Sequence, residues 1–292
     1  MSVLWQTERN GTRYSVRAHG ASVRLYSNGV FHSQWNPDRP FAGGVWDCLS
    51  LPALYRPAAA LRRVLLLGVG GGAVIRQLQT LVPFESLTAI EIDPVHIDVA
   101  RRWFGVGEAG ATRGAGLATD AERTGGASGA GEGDERGEGG RAGGVSDASA
   151  GNAGGRITLL EADAIAWLRR RHDEPFDLVV DDLFGHADGE PRRACALGDE
   201  WVSLLRSAVT DSGLLVVNCV DGRELGRAAP VFADAGFAHA RRWSLAGYEN
   251  AIGVFGVEPL VPREWSRRLE RRALPAAAAR RARAIVRRPL RG

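Results

Sequence analysis

The chain contains no lysine: every one of its 37 basic side chains is an arginine. That excludes a Schiff-base lysine and a lysine general base, because a guanidinium keeps its proton near neutrality. Cysteine is scarce too. Cys48, Cys195 and Cys219 are far apart, odd in number and form no C-x-x-C pair, which argues against a disulfide framework or a zinc site and for buried, reduced thiols. The six histidines form no spaced ligand cluster, so no metal is expected. No apolar run reaches the roughly 18 residues that a membrane span needs, and residues 1–6 lack the basic and apolar regions of a signal peptide. The expected compartment is the cytoplasm, without a membrane partner.

What is present suffices for a core. With 292 residues, 45% of them hydrophobic, the chain can hold one large domain with a small appendage. The net charge of +3 is uneven: residues 263–292 carry eleven arginines against Glu264 and Glu270, a net +9, which leaves −6 for the remainder. That stretch reads as a solvated basic tail, with an anionic surface or nucleic acid as the less favoured alternative. Residues 105–155 hold 18 of the 38 glycines and almost no large apolar side chain, the composition of a disordered insertion.

On both sides of that insertion, apolar runs at 64–68, 87–92, 157–161, 177–182 and 214–219 alternate with amphipathic helical patterns beginning near Ala73, Pro94, Asp163, Asp199 and Arg223. This predicts an α/β domain whose mostly parallel sheet is covered on both faces. The last two strands, 237–243 and 251–257, are separated by too few residues for a crossover helix, so they pair as a terminal antiparallel hairpin. Ahead of the domain, 14–19, 22–26 and 30–34 form a small β meander. The expected division is 1–56, meander and connecting helix; 57–260, Rossmann-like domain; 261–292, Arg-rich tail.

The first strand runs into Gly68-Val69-Gly70-Gly71-Gly72-Ala73 and then a helix. Gly68, Gly70 and Gly72 let the backbone approach a ligand, while the helix N-terminus offers unpaired N–H groups. The same spacing fits a dinucleotide fingerprint. The second strand closes in Glu91-Ile92-Asp93-Pro94, where Asp93 suits an N-cap before Pro94 and Glu91 is left to reach a ribose diol. The third ends in Glu161-Ala162-Asp163-Ala164; Asp163 could accept from an adenine amine, cap its own helix, or do both. The fourth ends in Asp181-Asp182, and since neighbouring strand residues face opposite ways, Asp182 is taken to overlook the crevice. His32 and His186 are candidate bases with equally good structural readings.

On these motifs the run 63–256 resembles the spermidine synthase family, a branch of the S-adenosylmethionine methyltransferase-like fold, with weaker similarity over 14–55. The resemblance makes Gly68–Ala73 the glycine loop, Glu91 the ribose ligand, Asp163 and Ala164 the adenine segment, and Asp182 the catalytic aspartate. It places Asp47, Asp181 and Tyr248 around an amine acceptor, with Trp46-Asp47 where the family has His-Glu. It also marks departures: Gly71 stands where the family has an aspartate that pairs with the aminopropyl amine, and Gly185 replaces the second acid of D-x-x-D.

The resemblance implies aminopropyl transfer from decarboxylated S-adenosylmethionine to a small-molecule amine. S-adenosylmethionine-dependent methyl transfer is the alternative, followed by a non-catalytic nucleoside-binding relative and, more remotely, an NAD(P) oxidoreductase. Nucleic acid is not an expected partner; a homodimer is left open.

Overall fold

A computed structural model describes residues 1–107, 155–171, 174–187 and 190–290. The insertion read over 105–155 therefore falls, from 108 to 154, outside the described residues.

The chain opens with β1 (Ser2–Arg9), β2 (Thr12–His19), β3 (Ser22–Ser27) and β4 (Val30–Trp35), a four-stranded antiparallel sheet in sequence order. Two of its connections are Asn-Gly pairs with both residues at positive φ, Asn10-Gly11 at 51° and 75° and Asn28-Gly29 at 50° and 82°. This geometry matches the right-handed twist of the flanking strands. The meander thus has one strand more than the sequence reading gave it. β1 escapes notice because its side chains are largely exposed and no apolar face marks it.

After α1 (Val45–Ser50) and short 3-10 turns at Leu51–Tyr55 and Ala58–Ala60 come β5 (Arg63–Leu67), α2 (Ala73–Leu81), β6 (Ser86–Glu91), α3 (Pro94–Phe104), β7 (Arg156–Glu161), α4 (Ala164–Arg170) and β8 (Phe176–Asp181). A two-stranded ribbon, β9 (Phe184–Ala187) and β10 (Glu190–Arg193), precedes α5 (Asp199–Ala208), β11 (Val209–Cys219), α6 (Gly222–Asp234), β12 (His239–Ser244) and β13 (Ala251–Gly256). The chain ends in α7 (Pro262–Arg271), α8 (Ala276–Ala284) and β14 (Val286–Pro289).

Eight strands form the main sheet in the order β14-β12-β13-β11-β8-β5-β6-β7. β5, β6, β7, β8 and β11 are parallel, whereas β13 runs antiparallel to β11 and β12. The α/β fold with its closing antiparallel hairpin is as the sequence predicts. In β5, Val64 and Leu66 join one apolar layer and Leu65 and Leu67 the other, all fully buried, because successive strand residues face opposite ways.

The C-terminal segment requires a correction: it is docked, not solvated. Trp265 and Leu269, four residues apart on α7, are buried together with Ala278, Ala282 and Ile285. Trp265 Nε1 donates to Leu51 O at 2.9 Å. Arg268 donates to the carbonyls of Leu54 and Tyr55, and Arg281 to that of Phe41. β14 pairs with β12 and so extends the main sheet. Several arginines that composition assigned to solvent instead satisfy the open carbonyls at turns and helix ends.

Candidate active site

The strand order reverses between β5 and β8: β5 leads outward through β6 and β7, and β8 outward through β11. Open α/β sheets bind ligands in the crevice beyond the carboxyl ends of strands at such a reversal. The glycine loop follows β5 and Asp182 follows β8, so both candidate groups flank this point.

The loop is built for close approach. Gly68, Gly70 and Gly72 have φ of 85°, 53° and 88°, which side-chain-bearing residues rarely adopt. A Cβ on Gly68 would lie 2.3 Å from the backbone oxygen of Asp182, and one on Gly70 would lie 3.2 Å from that of His32. The loop is therefore wedged between the end of β8 and the N-terminal sheet. Gly68→Ala is expected to cost about 1–3 kcal/mol in urea unfolding and to weaken binding of an adenosyl ligand; unchanged stability and affinity would show that the wedge is not needed.

Glu91 is buried at the end of β6. Its Oε2 accepts from the N–H groups of Val69 and Gly70 at 2.9 and 3.1 Å, and its Oε1 from that of Asp93 at 3.0 Å. Burial alone would raise its pKa; His96, with Nδ1 3.7 Å from Oε2, and the backbone donors outweigh burial and hold it below the usual value. Burial works in the opposite direction on His96, and Glu91 and Asp93 outweigh it, so that imidazole is raised. A carboxylate offers about four acceptor positions, which leaves Oε1 with capacity for a hydroxyl donor.

Asp93 caps α3 through Val95 N at 2.9 Å and accepts from Tyr14 Oη at 2.7 Å. Ser27 Oγ lies 3.1 Å from His96 Nε2. The N-terminal sheet is thereby tied to the strand that carries Glu91.

At the next strand end, Asp163 is exposed and accepts from Ala166 N at 2.7 Å, capping α4, while Ala164 is buried. Ile92, 66% exposed, stands at the tip of the neighbouring strand.

Asp182 and its neighbour separate as the alternation predicts, with a consequence for the amine site. Asp182 is half-buried, and its Oδ1 accepts from Asn218 Nδ2 at 2.7 Å; Asn218 Oδ1 in turn accepts from Asn250 Nδ2 at 3.0 Å. Burial, opposed by the Asn218 bond and reinforced by the charge of Asp181, pushes the Asp182 carboxyl up to about 7. Asp181, expected at the acceptor, is instead fully buried and holds Arg193 at 2.6 Å and Trp201 Nε1 at 2.9 Å on its Oδ2.

Asp47, also expected there, is only 2% exposed. Its oxygens accept from Gly43 N and Gln77 Nε2 at 2.9 and 2.8 Å, and burial pushes it up to about 6. Neither acid is open to an incoming amine. Tyr248 is half-buried, with its hydroxyl near Gly44. At Gly71 a Cβ would lie 2.5 Å from the ring of Phe104, so a side chain there would have to displace that ring, whereas at Gly185 the space is open.

The ring of His32 lies 5.2 Å from that of His96; the side chain of His186 lies outside the described residues. Among the described residues no group of three His, Cys, Asp or Glu is placed to hold a metal, and no helix is long and apolar enough to cross a membrane. Sequence reasoning missed Tyr14, Ser27, His96, Arg193, Trp201 and Asn218. Only Asn218 carries a signal, as the one polar residue inside the apolar run 214–219.

No family model matches the chain. A polyamine aminopropyltransferase of Agathobacter rectalis is 23% identical over 169 residues, a match that spans 57% of this chain and only 42% of that protein. Among solved structures, a probable spermidine synthase from Corynebacterium glutamicum superposes with a TM-score of 0.63 at 14% identity, covering 98% of this chain and 90% of that one. Human methyltransferase-like protein 13, solved with SAH, gives 0.52 at 19% identity over 82% and 91%. The fold is the one that spermidine synthases share with S-adenosylmethionine-type methyltransferases, and in sequence the chain resembles the polyamine aminopropyltransferases.

Proposed function

We propose that the chain is a transferase that moves an aminopropyl group from decarboxylated S-adenosylmethionine to a small-molecule amine. The observation that carries this reading is the placement of Asp182: its carboxyl, which burial pushes up to about 7, accepts from Asn218, and its backbone lies against the glycine loop with its N–H on Leu67 O at 2.8 Å. The donor fits the residues present. The positive-φ glycines let the loop backbone sit against Asp182 and His32 with no side chain between, Glu91 has acceptor capacity for a ribose hydroxyl, and Asp163 at the next strand end is an exposed acceptor for the base.

When bound, the sulfonium supplies an alkyl carbon with a neutral thioether as leaving group, so the protein need not provide an acid for departure. Its own task is alignment and proton acceptance. A primary amine is mostly protonated at neutral pH and must arrive at the carbon as the free base; Asp182, half-ionised near pH 7, can orient the nitrogen and take its proton.

Methyl transfer from S-adenosylmethionine is the second reading, and one observation favours it. Gly71, whose Cβ position abuts the ring of Phe104, carries no acid to pair with an aminopropyl amine, and without one the carboxylate of the undecarboxylated donor meets no repulsion there. Mass spectrometry of putrescine or spermidine incubated with the protein and each donor decides between them. An aminopropylated amine is expected. A methylated product from S-adenosylmethionine alone would move the assignment to methyl transfer, and donor binding without any product would make the chain a nucleoside-binding relative.

A further inference from the structure

Asp181 and Asp182 are neighbours in sequence with different surroundings. Asp181 closes β8 with its side chain wholly out of solvent, and three donors reach it: Arg193 Nη2 at 2.6 Å, Trp201 Nε1 at 2.9 Å and Leu183 N at 3.3 Å. Arg193, 3% exposed along its side chain, also donates to the backbone oxygens of Asn218 and Cys195. Residues of β8, β10, α5 and β11 therefore meet at one buried ion pair. Asn218 joins that pair to the reacting edge: its carbonyl takes Arg193 while its amide donates to Asp182.

Burying an ion pair is expensive, and an apolar pair of like volume commonly holds a fold as well or better. The feature that an apolar pair could not reproduce here is a fixed negative charge beside Asp182. We propose that Asp181 is a positioning residue, held by Arg193 and Trp201, which acts on the transfer solely through Asp182 and Asn218 and does not touch the acceptor.

The proposal rests on the reading of Asp182 as proton acceptor. The charged and titratable groups facing Asp182 are Asp181, Arg193 and Glu91, and those facing Arg193 further include Cys219 and Glu224. Of these, the Asp181 anion is the strongest opponent of a second negative charge at Asp182. Without it, Asp182 would give up its proton more readily and would be a weaker base at the pH where the amine needs one.

The test is a pH titration of the Asp182 carboxyl carbon by NMR in full-length protein labelled at aspartate Cγ, with the signal assigned by its loss in Asp182→Asn. In Asp181→Asn the midpoint is expected to fall by about one pH unit, and where transfer is measured the acceptor KM should stay within about twofold while the acidic limb of kcat shifts the same way. An unmoved midpoint, or an acceptor KM raised tenfold or more, overturns the proposal.

If Asp181→Asn does not fold, because Arg193 is left buried without its partner, Asp181→Asn/Arg193→Met removes both charges. Its midpoint should still fall, by less than in the single variant because the opposing charge of Arg193 goes too, and a midpoint at or above that of wild type would overturn the proposal. Because the titration needs no turnover, absence of transferase activity would count against the proposed function while leaving this result intact.

Discussion

Asp182→Asn should lower turnover by about two to three powers of ten while leaving the affinity for an adenosyl ligand essentially unchanged. Asparagine keeps the shape and can still meet Asn218, but it cannot accept a proton. The same substitution should leave a mark on stability.

The carboxyl sits near 7 in the folded chain and near about 3.9 when unfolded. A folded pKa raised in this way means that the native state binds the extra proton. Its stabilising contribution is complete below about pH 4 and is lost as pH rises through 7. Asp182→Asn escapes that loss, so its melting temperature should gain on wild type between pH 5 and pH 8. Thermal unfolding at the two pH values checks this; an equal offset at both would mean that Asp182 does not titrate in the window. Activity and stability would thus be in opposition at one residue, as is common where a charge is held in a site for chemistry.

Trp265→Ala should cost about 3–5 kcal/mol, the largest stability loss among the substitutions considered. Trp265 is 1% exposed, donates to Leu51 O, meets Trp243 edge-on at 5.5 Å between ring centroids, and lies under the Arg287 guanidinium at 3.9 Å. Removing the indole leaves a cavity, takes the donor from Leu51 O and strips Arg287 of the nearer of its two aromatic faces. Urea unfolding measures the effect. A loss below about 1 kcal/mol would mean that the C-terminal helices are peripheral, as their composition first suggested.

That reversal shows where sequence is legible and where it is not. The glycine loop, Asp93 as a cap and the separation of Asp181 from Asp182 all follow from contacts within a few residues or from strand alternation, and all could be read directly. The fate of Asp181 could not. Alternation gives the side on which an acid lies but not that Arg193, at the end of the two-stranded ribbon, returns to pair with it. Asp47 was misread for the same reason: its partner Gln77 belongs to a different helix. In the C-terminal segment a high count of arginine concealed the i, i+4 pair Trp265 and Leu269, and arginine is the cation best able to bury its stem while donating to carbonyls.

The histidine beside Glu91 was equally hidden. His96 falls within an otherwise ordinary first turn of α3, and only the fold shows Glu91 at 3.7 Å from its Nδ1 and Ser27 of β3 at 3.1 Å from its Nε2. The N-terminal sheet, which sequence marks merely as a meander, thus supports the chain just after the strand end that carries Glu91. Tyr14 does the same for Asp93.

Titration calorimetry of wild type and Glu91→Gln with S-adenosylmethionine and with its decarboxylated form asks whether the glycine turn and the acid that pins it make one adenosyl pocket. Wild type should bind at least one of the two, and Glu91→Gln should bind it at least tenfold more weakly. A wild-type chain indifferent to both ligands, or a Glu91→Gln variant that binds as well as wild type, would contradict that assignment.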